Sequence, residues 1–192
     1  MNAALRAQAI LADPAAEWTR IEAEPGDAAA LFIGYAALLA LIPPIAGLIG
    51  ACVVGVVVPG AGTVRAPILA GLFGAAFRYV MSFASVLGLA LVINLLAPAF
   101  SSHRSFERAF KLAVYSYTPL WLAGIFLLAP GLYFLVLTGF YGVYLFWRGV
   151  PALMQTPKPQ AKGYTAAVAA CACALTLIIA GAQHALFGFA KF

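Results

Sequence analysis

The sequence is short of charged residues, which make up 9% of its 192 positions, while hydrophobic residues make up 65%. A soluble domain carries about 25% charged and about 45–50% apolar residues. So few charges cannot cover so large an apolar surface in water, and the solvent around most of the chain must therefore be lipid. The composition places the chain among all-α integral membrane proteins.

Acidic residues are almost absent beyond residue 27, because five of the six precede residue 28 and Glu107 is the other. A carboxylate inside a span is the usual means of moving protons or sodium across a membrane. None lies in the interior of a predicted span, since Glu107 is the first residue of the third, and this argues against an ion-coupled transporter and an intramembrane aspartyl protease. The motifs Gly-x-Ser-x-Gly, His-Glu-x-x-His and the P-loop are also missing. We therefore expect neither enzyme activity nor a cofactor.

Metal ligands are equally scarce. The chain has two histidines, neither in a metal-ligand spacing, and three cysteines in apolar stretches, where a free thiol behaves as a small hydrophobe. The net charge of +5 comes from basic residues beside the spans, which set topology and contact anionic head groups. No cluster of Lys and Arg with interleaved aromatics lies outside the spans. We expect no metal site and no nucleic-acid partner, but membrane lipids as partners.

Five apolar stretches are long enough to cross a bilayer, and they predict spans at about 28–58, 68–97, 107–128, 131–149 and 164–189. The chain is thus predicted to form a five-transmembrane-helix bundle over residues 28–192, preceded by a cytoplasmic or interfacial segment at 1–27. That segment favours two short helices. The second has Asp13 as its N-cap, Pro14 at its first position and Pro25-Gly26 as its stop.

Two groups of residues are candidates for contact with the membrane interface or a partner. Trp18 and Ile21 share one face of the second short helix, as expected for a helix at the membrane surface or a Trp that anchors the first span. At the end of the fourth span, Tyr144, Trp147 and Arg148 are typical of an interfacial belt. The aromatic stripe of this span could also line a groove for acyl chains or a partner helix. Glycines on its opposite face favour close helix packing and a homo-oligomer.

Arg78 is the candidate centre of a polar site inside the membrane. It lies about 15 Å along the second span, on one stripe with Ser82 and Ser85, and we place Tyr115 and Thr118 of the third span opposite. Small and polar residues on one stripe face other helices or a wet cavity. Two arrangements remain open. Either Arg78 lies near the bilayer midplane, or residues 66–78 form an interfacial helix and Arg78 snorkels.

The first span is longer than a bilayer requires, and Pro43-Pro44 explains part of the excess. A proline pair removes backbone hydrogen bonds, so it either kinks the span or breaks it into a hairpin. With five spans, eight Lys and Arg residues lie on the side of the N-terminus and two on the other. The positive-inside rule then places the N-terminus in the cytoplasm and the C-terminus outside.

Several motifs resemble bacterial members of the Yip family, which is named for Ypt/Rab-interacting proteins. They are the Trp18-x-x-Ile21-x-x-Glu24 segment after Pro14, the run 115–119, the segment 141–151 with Tyr144, Trp147 and Arg148, and the run from Pro157 to Thr165. The resemblance covers nearly the whole chain. It implies five spans in a bacterial inner membrane and a role as an adaptor of membrane traffic. The eukaryotic relatives bind Rab-type GTPases through longer N-terminal segments with motifs absent here, so GTPase binding is not carried over.

The leading hypothesis is therefore a non-enzymatic membrane-organising or trafficking-type adaptor that acts through helix and lipid contacts. The alternative is a channel or carrier for a small molecule, ion or lipid with its site around Arg78, because an intramembrane Arg without an acid suits an anionic ligand.

Overall fold

The computed structural model describes residues 2–24, 27–58 and 62–187, with side chains up to residue 181. Over these ranges the chain forms seven helices and one two-stranded hairpin. The helices are α1 (Ala3–Ala12), α2 (Pro14–Ala23), α3 (Ala28–Val54), α4 (Ile68–Phe100), α5 (Phe106–Leu128), α6 (Pro130–Leu153) and α7 (Lys158–Phe187). Helices α3 to α7 are long and apolar enough to cross a membrane. The predicted all-α membrane fold with five long apolar helices and two short N-terminal ones is confirmed.

The start of α2 is marked by a side-chain cap, as predicted, whereas the predicted stop at Pro25-Gly26 lies outside the described residues. The Asp13 carboxylate accepts a hydrogen bond from the Ala16 amide at 3.2 Å, and Pro14 occupies the first position of α2. Together these residues end α1 and start α2 within a single turn. The two helices fold back on each other and pack against α5 and α6, which buries Ile10 and Trp18.

Helix α3 is kinked rather than folded into a hairpin. Its α-helical hydrogen bonding is interrupted at Ala40 and Leu41 and resumes at Ile42, because Pro43 and Pro44 have no amide hydrogen to donate. Both halves belong to one stretch long enough to cross a bilayer. The predicted end of this span at residue 58 is corrected to Val54. Gly55 adopts φ +81°, and the strand β1 (Val56–Val58) then pairs antiparallel with β2 (Gly62–Val64).

The stretch between the predicted fourth and fifth spans, residues 150–163, is also corrected, because only residues 154–157 link α6 to α7. Helix α6 continues through Pro151, and Pro159 fits the first turn of α7, where a missing amide hydrogen leaves no bond unmade. The linker packs on residues 101–105, where the His103 amide donates to the Met154 carbonyl at 2.8 Å. We call the end of the bundle formed by these two linkers the basic end. The predicted end of the last span, residue 189, lies outside the described residues.

Helix α5 is the centre of the bundle. It packs against α3, α4 and α6, and most of its first four turns are buried. By contrast, the outer faces of α3, α4, α6 and α7 expose large apolar side chains. In a membrane protein this surface is the one that contacts lipid, whereas the buried core around α5 fixes the geometry of the polar groups.

Candidate functional site

A buried ion-pair network joins the two N-terminal helices beside the bundle. Arg6 of α1 donates hydrogen bonds to the carboxylates of Glu17 and Glu24, and Arg20 lies 3.2 Å from Glu17. The Glu17 side chain is only 1% exposed and that of Arg6 only 9%. Burial by itself lowers the pKa of Arg6, but its hydrogen bond to Glu24, with smaller contributions that include Glu17, outweighs this effect and raises it. Arg6 therefore remains charged within this network.

Lys111 of α5 connects this network to the membrane-spanning helices. Its ammonium group donates to the backbone carbonyl of Glu24 at 2.8 Å. A cavity of about 230 Å³ lies beside it, walled by charged groups of α1, α2 and α5 and by the rings of Tyr35 and Tyr115. The first and third spans thus hold the N-terminal helices at a polar junction.

Tyr115 and Thr118 belong to this junction and do not face Arg78. The hydroxyl groups of Thr118 and Tyr35 are 2.7 Å apart, and the rings of Tyr115 and Tyr35 are 4.9 Å apart. Tyr115 also makes an edge-to-face contact with Trp18, with ring centroids 6.1 Å apart. The expectation that these two residues lie opposite Arg78 is therefore wrong, since the polar stripe of α5 faces α2 and α3.

Arg78 is half buried inside an uninterrupted helix that runs from Ile68 to Leu96, so a separate interfacial helix at 66–78 does not form. Its Nε atom is buried and has no hydrogen-bond partner among the described residues. The guanidinium lies against Gly47, where a Cβ atom would be 3.3 Å from Nη2, and extends back toward Gly74. The glycine at position 47 therefore makes room for this side chain.

The two serines on the same helix stripe as Arg78 form hydrogen bonds within the protein. Ser82 accepts a hydrogen bond from the Trp121 indole at 2.8 Å, and Ser85 donates to the Met81 carbonyl at 2.8 Å. The five residues predicted as one site are consequently spread over three environments. These are the Tyr35–Thr118 junction, the face of α4 with Ser85 and the Ser82–Trp121 contact to α5, and the half-buried guanidinium of Arg78.

The predicted interfacial residues also fall into two groups. Trp18 and Ile21 are each 1% exposed, so their expected contact with head groups or a partner is wrong. The Trp18 indole donates to the Leu145 carbonyl at 3.1 Å and fits against Gly149, where a Cβ would lie 2.6 Å from the ring. Tyr144 and Arg148, in contrast, are exposed and Trp147 is partly so, as an interfacial belt requires.

The glycine face of α6 packs inside the bundle. A Cβ at Gly142 would lie 2.4 Å from the Ser116 carbonyl, and one at Gly139 would lie 2.8 Å from Leu120. Backbone contact this close is what glycine permits between helices. The face predicted to promote oligomers is thus occupied by α5, and any homo-oligomer must use another surface.

A large apolar groove lies between α5, α6 and α7. Leu137 and Phe140 of the aromatic stripe of α6 line part of it, as one of the alternatives for that stripe predicted, but the wall formed by α7 was not predicted. The volume of the groove is about 600 Å³, and residues from Thr165 to Leu177 of α7 form one wall. The small side chains of α7 leave this space. The run of small residues after Thr165 was the available signal, but it does not say which helix face is left unfilled.

The fold and the outward apolar surface together define a multi-pass helical membrane protein. A family model described as the Yip1 domain matches residues 9–180. The chain therefore belongs to the Yip family, as the sequence motifs indicated. Searches of curated proteins and of solved structures found no match.

Proposed function

We propose that the protein is a non-enzymatic adaptor that organises a membrane through helix and lipid contacts. The observation that carries the proposal is the docking of α1 and α2. The Arg6–Glu17 pair and Trp18 are buried between these helices and the bundle. Breaking a buried ion pair by removing one partner is strongly destabilising, so the N-terminal helices are held in place. The outer face of α2, with exposed Thr19, Arg20 and Glu22, is therefore a fixed surface for a protein partner.

We place the protein in a bacterial inner membrane with its N-terminus in the cytoplasm. The basic end carries exposed Arg104, Arg148, Lys158 and Lys162. An excess of Lys and Arg beside the spans marks the cytoplasmic side. Five spans would then bring the C-terminus to the opposite side. A homo-oligomer, if formed, would use the exposed aromatic stripe of α6 or the exposed alanines of α7, because the glycine face is filled.

The alternative function is a carrier or channel for an anionic small molecule, ion or lipid. It is favoured by Arg78, whose buried Nε atom has no partner among the described residues. A cation within a span needs a counter-charge, water or another polar group, and an anionic ligand would supply the first. Ser82 and Ser85 remain close on the same helix face, although both already have partners.

A two-part experiment separates the two functions. In a variant whose native cysteines are replaced by serine, Arg78→Cys is labelled with an impermeant thiol reagent from each side of the membrane. In parallel, a photo-crosslinking amino acid is placed at position 20 or 22 on α2, with position 63 at the other end of the bundle as the control.

The adaptor predicts discrete protein crosslinks from positions 20 and 22, none from position 63, and no labelling at position 78. Labelling at position 78 that an added anion suppresses, together with no crosslinks from α2, would contradict the adaptor and favour the carrier.

A further inference from the structure

The groove between α5, α6 and α7 has the length and polarity of a lipid tail site. On α7 it extends from Thr165 to Leu177, which is about 18 Å at the helical rise of 1.5 Å per residue. The hydrocarbon core of a bilayer is about 30 Å thick, so one leaflet contributes about 15 Å. A single acyl chain of one leaflet would therefore fill the groove along its length.

Two exposed lysines continue the same face of α7 beyond the groove, toward the basic end. Lys158 lies seven residues before Thr165, and Lys162 lies seven residues before Ala169, so each pair is separated by about two helical turns. Lys158 and Lys162 are four residues apart and so are neighbours on the helix surface. The groove thus has an apolar body and a doubly cationic end.

Ser116 adds one polar group to the wall of the groove. Its side-chain oxygen is buried and has no hydrogen-bond partner among the described residues. Buried hydroxyl groups are normally hydrogen-bonded, so an unsatisfied one beside a groove indicates a missing partner. The ester oxygens of a phospholipid lie between its phosphate and its tails, and they are hydrogen-bond acceptors of the kind that this hydroxyl lacks.

We propose that the groove binds one anionic phospholipid of the leaflet at the basic end. One acyl chain lies between α5, α6 and α7, and the phosphate is held by Lys158 and Lys162. Charge complementarity selects an anionic head group over a zwitterionic one. The inference rests on the membrane placement given under Proposed function and specifies the lipid contacts of that function. It does not require a protein partner.

Purified protein in detergent tests this directly. The probe is phosphatidylglycerol with a photoreactive diazirine in one acyl chain, and the attachment sites are mapped by mass spectrometry. Attachment is expected at groove residues such as Ala169, Ala172 and Cys173. Unlabelled phosphatidylglycerol should compete at least tenfold better than phosphatidylethanolamine with the same chains.

Two pairs of variants separate the head-group and tail contacts. Lys158→Gln with Lys162→Gln should weaken competition by phosphatidylglycerol about tenfold, because basic residues at a membrane surface attract anionic lipids. Arg104→Gln with Arg148→Gln removes the same charge from the basic end, away from the groove, and should have no effect. Ala172→Phe fills the groove and should abolish attachment, whereas Ala174→Phe on the opposite face of α7 should not.

Equal competition by the two lipids, with attachment spread around the whole bundle, would overturn the proposal in favour of ordinary surrounding lipid. Oxidative crosslinking of Cys173 between two chains, lost in Ala172→Phe, would overturn it in favour of a second copy in the groove. If position 20 gives no protein crosslinks while lipid binding is intact, the proposed adaptor function is contradicted and the lipid site is not.

Discussion

The half of the bundle next to the basic end and the half away from it differ in the hydrogen-bond partners of their least exposed arginine side chains. Near the basic end, Arg6 is paired with Glu17, and the Trp18 indole and the Tyr164 hydroxyl each donate to a backbone carbonyl. In the other half, Arg78 has a buried Nε atom without a partner among the described residues, and the first turns of α4 expose Leu69 and Phe73. The first half contains the buried ion pair and the longest-range hydrogen bonds. The second half holds its helices together mainly by close packing, as where Gly124 lies against Pro43.

This difference predicts that substitutions near the basic end destabilise the protein more than substitutions far from it. The loss is measured as the change in the free energy of unfolding in mixed micelles. Substitutions near the basic end should remove packed contacts and bonded partners that nothing else replaces. Substitution of Arg78 itself should remove little. The following variants test this prediction in order of decreasing effect.

Trp18→Ala should have the largest effect, with a loss of about 3–5 kcal/mol, because it empties a fully buried site and leaves the Leu145 carbonyl without its donor. Trp147→Ala is the matched control. Its ring is only partly buried and contacts Tyr144, so the loss should be much smaller. Equal losses for the two variants would mean that α2 does not anchor the bundle.

Glu17→Gln should cost about 3 kcal/mol, because among the described residues it leaves the buried guanidinium of Arg6 with Glu24 as its one anionic partner. Glu22→Gln on the exposed side of the same helix changes the same charge and should cost less than about 0.5 kcal/mol. If the two variants lose the same free energy of unfolding, the network contributes no more to stability than a surface ion pair does.

Gly142→Ala should cost about 2 kcal/mol, because the added Cβ would lie 2.4 Å from the Ser116 carbonyl and force α5 and α6 apart. Gly34→Ala in α3 has no atom within 4 Å of its added Cβ, so its stability should be unchanged or slightly higher. A neutral Gly142→Ala variant would show that the α5–α6 contact can relax without loss.

Local signals predicted the elements of this fold, while the contacts between elements needed the structure. Asp13 and Pro14 act on their own neighbours, so the start of α2 could be read from the sequence. Trp18 bonds to a carbonyl 127 residues away, and no local pattern encodes that partner. Periodicity likewise placed Arg78 and Ser82 on one stripe of α4. It could not predict which neighbouring helix the stripe of α5 that contains Thr118 would contact. Five spans were therefore predictable, and the candidate site was not.

Arg78→Gln should have the smallest effect, within about 0.5 kcal/mol of the parent protein, because its buried Nε atom has no hydrogen-bond partner among the described residues. Ser82→Ala, one helical turn away, should cost about 1–2 kcal/mol, since it leaves the Trp121 indole without its acceptor. Unfolding of both variants in the same micelles measures this difference. If Arg78→Gln were the more damaging of the two, Arg78 would be a structural residue with a tightly held counter-charge, and the half of the bundle away from the basic end would be as constrained as the half that holds Trp18.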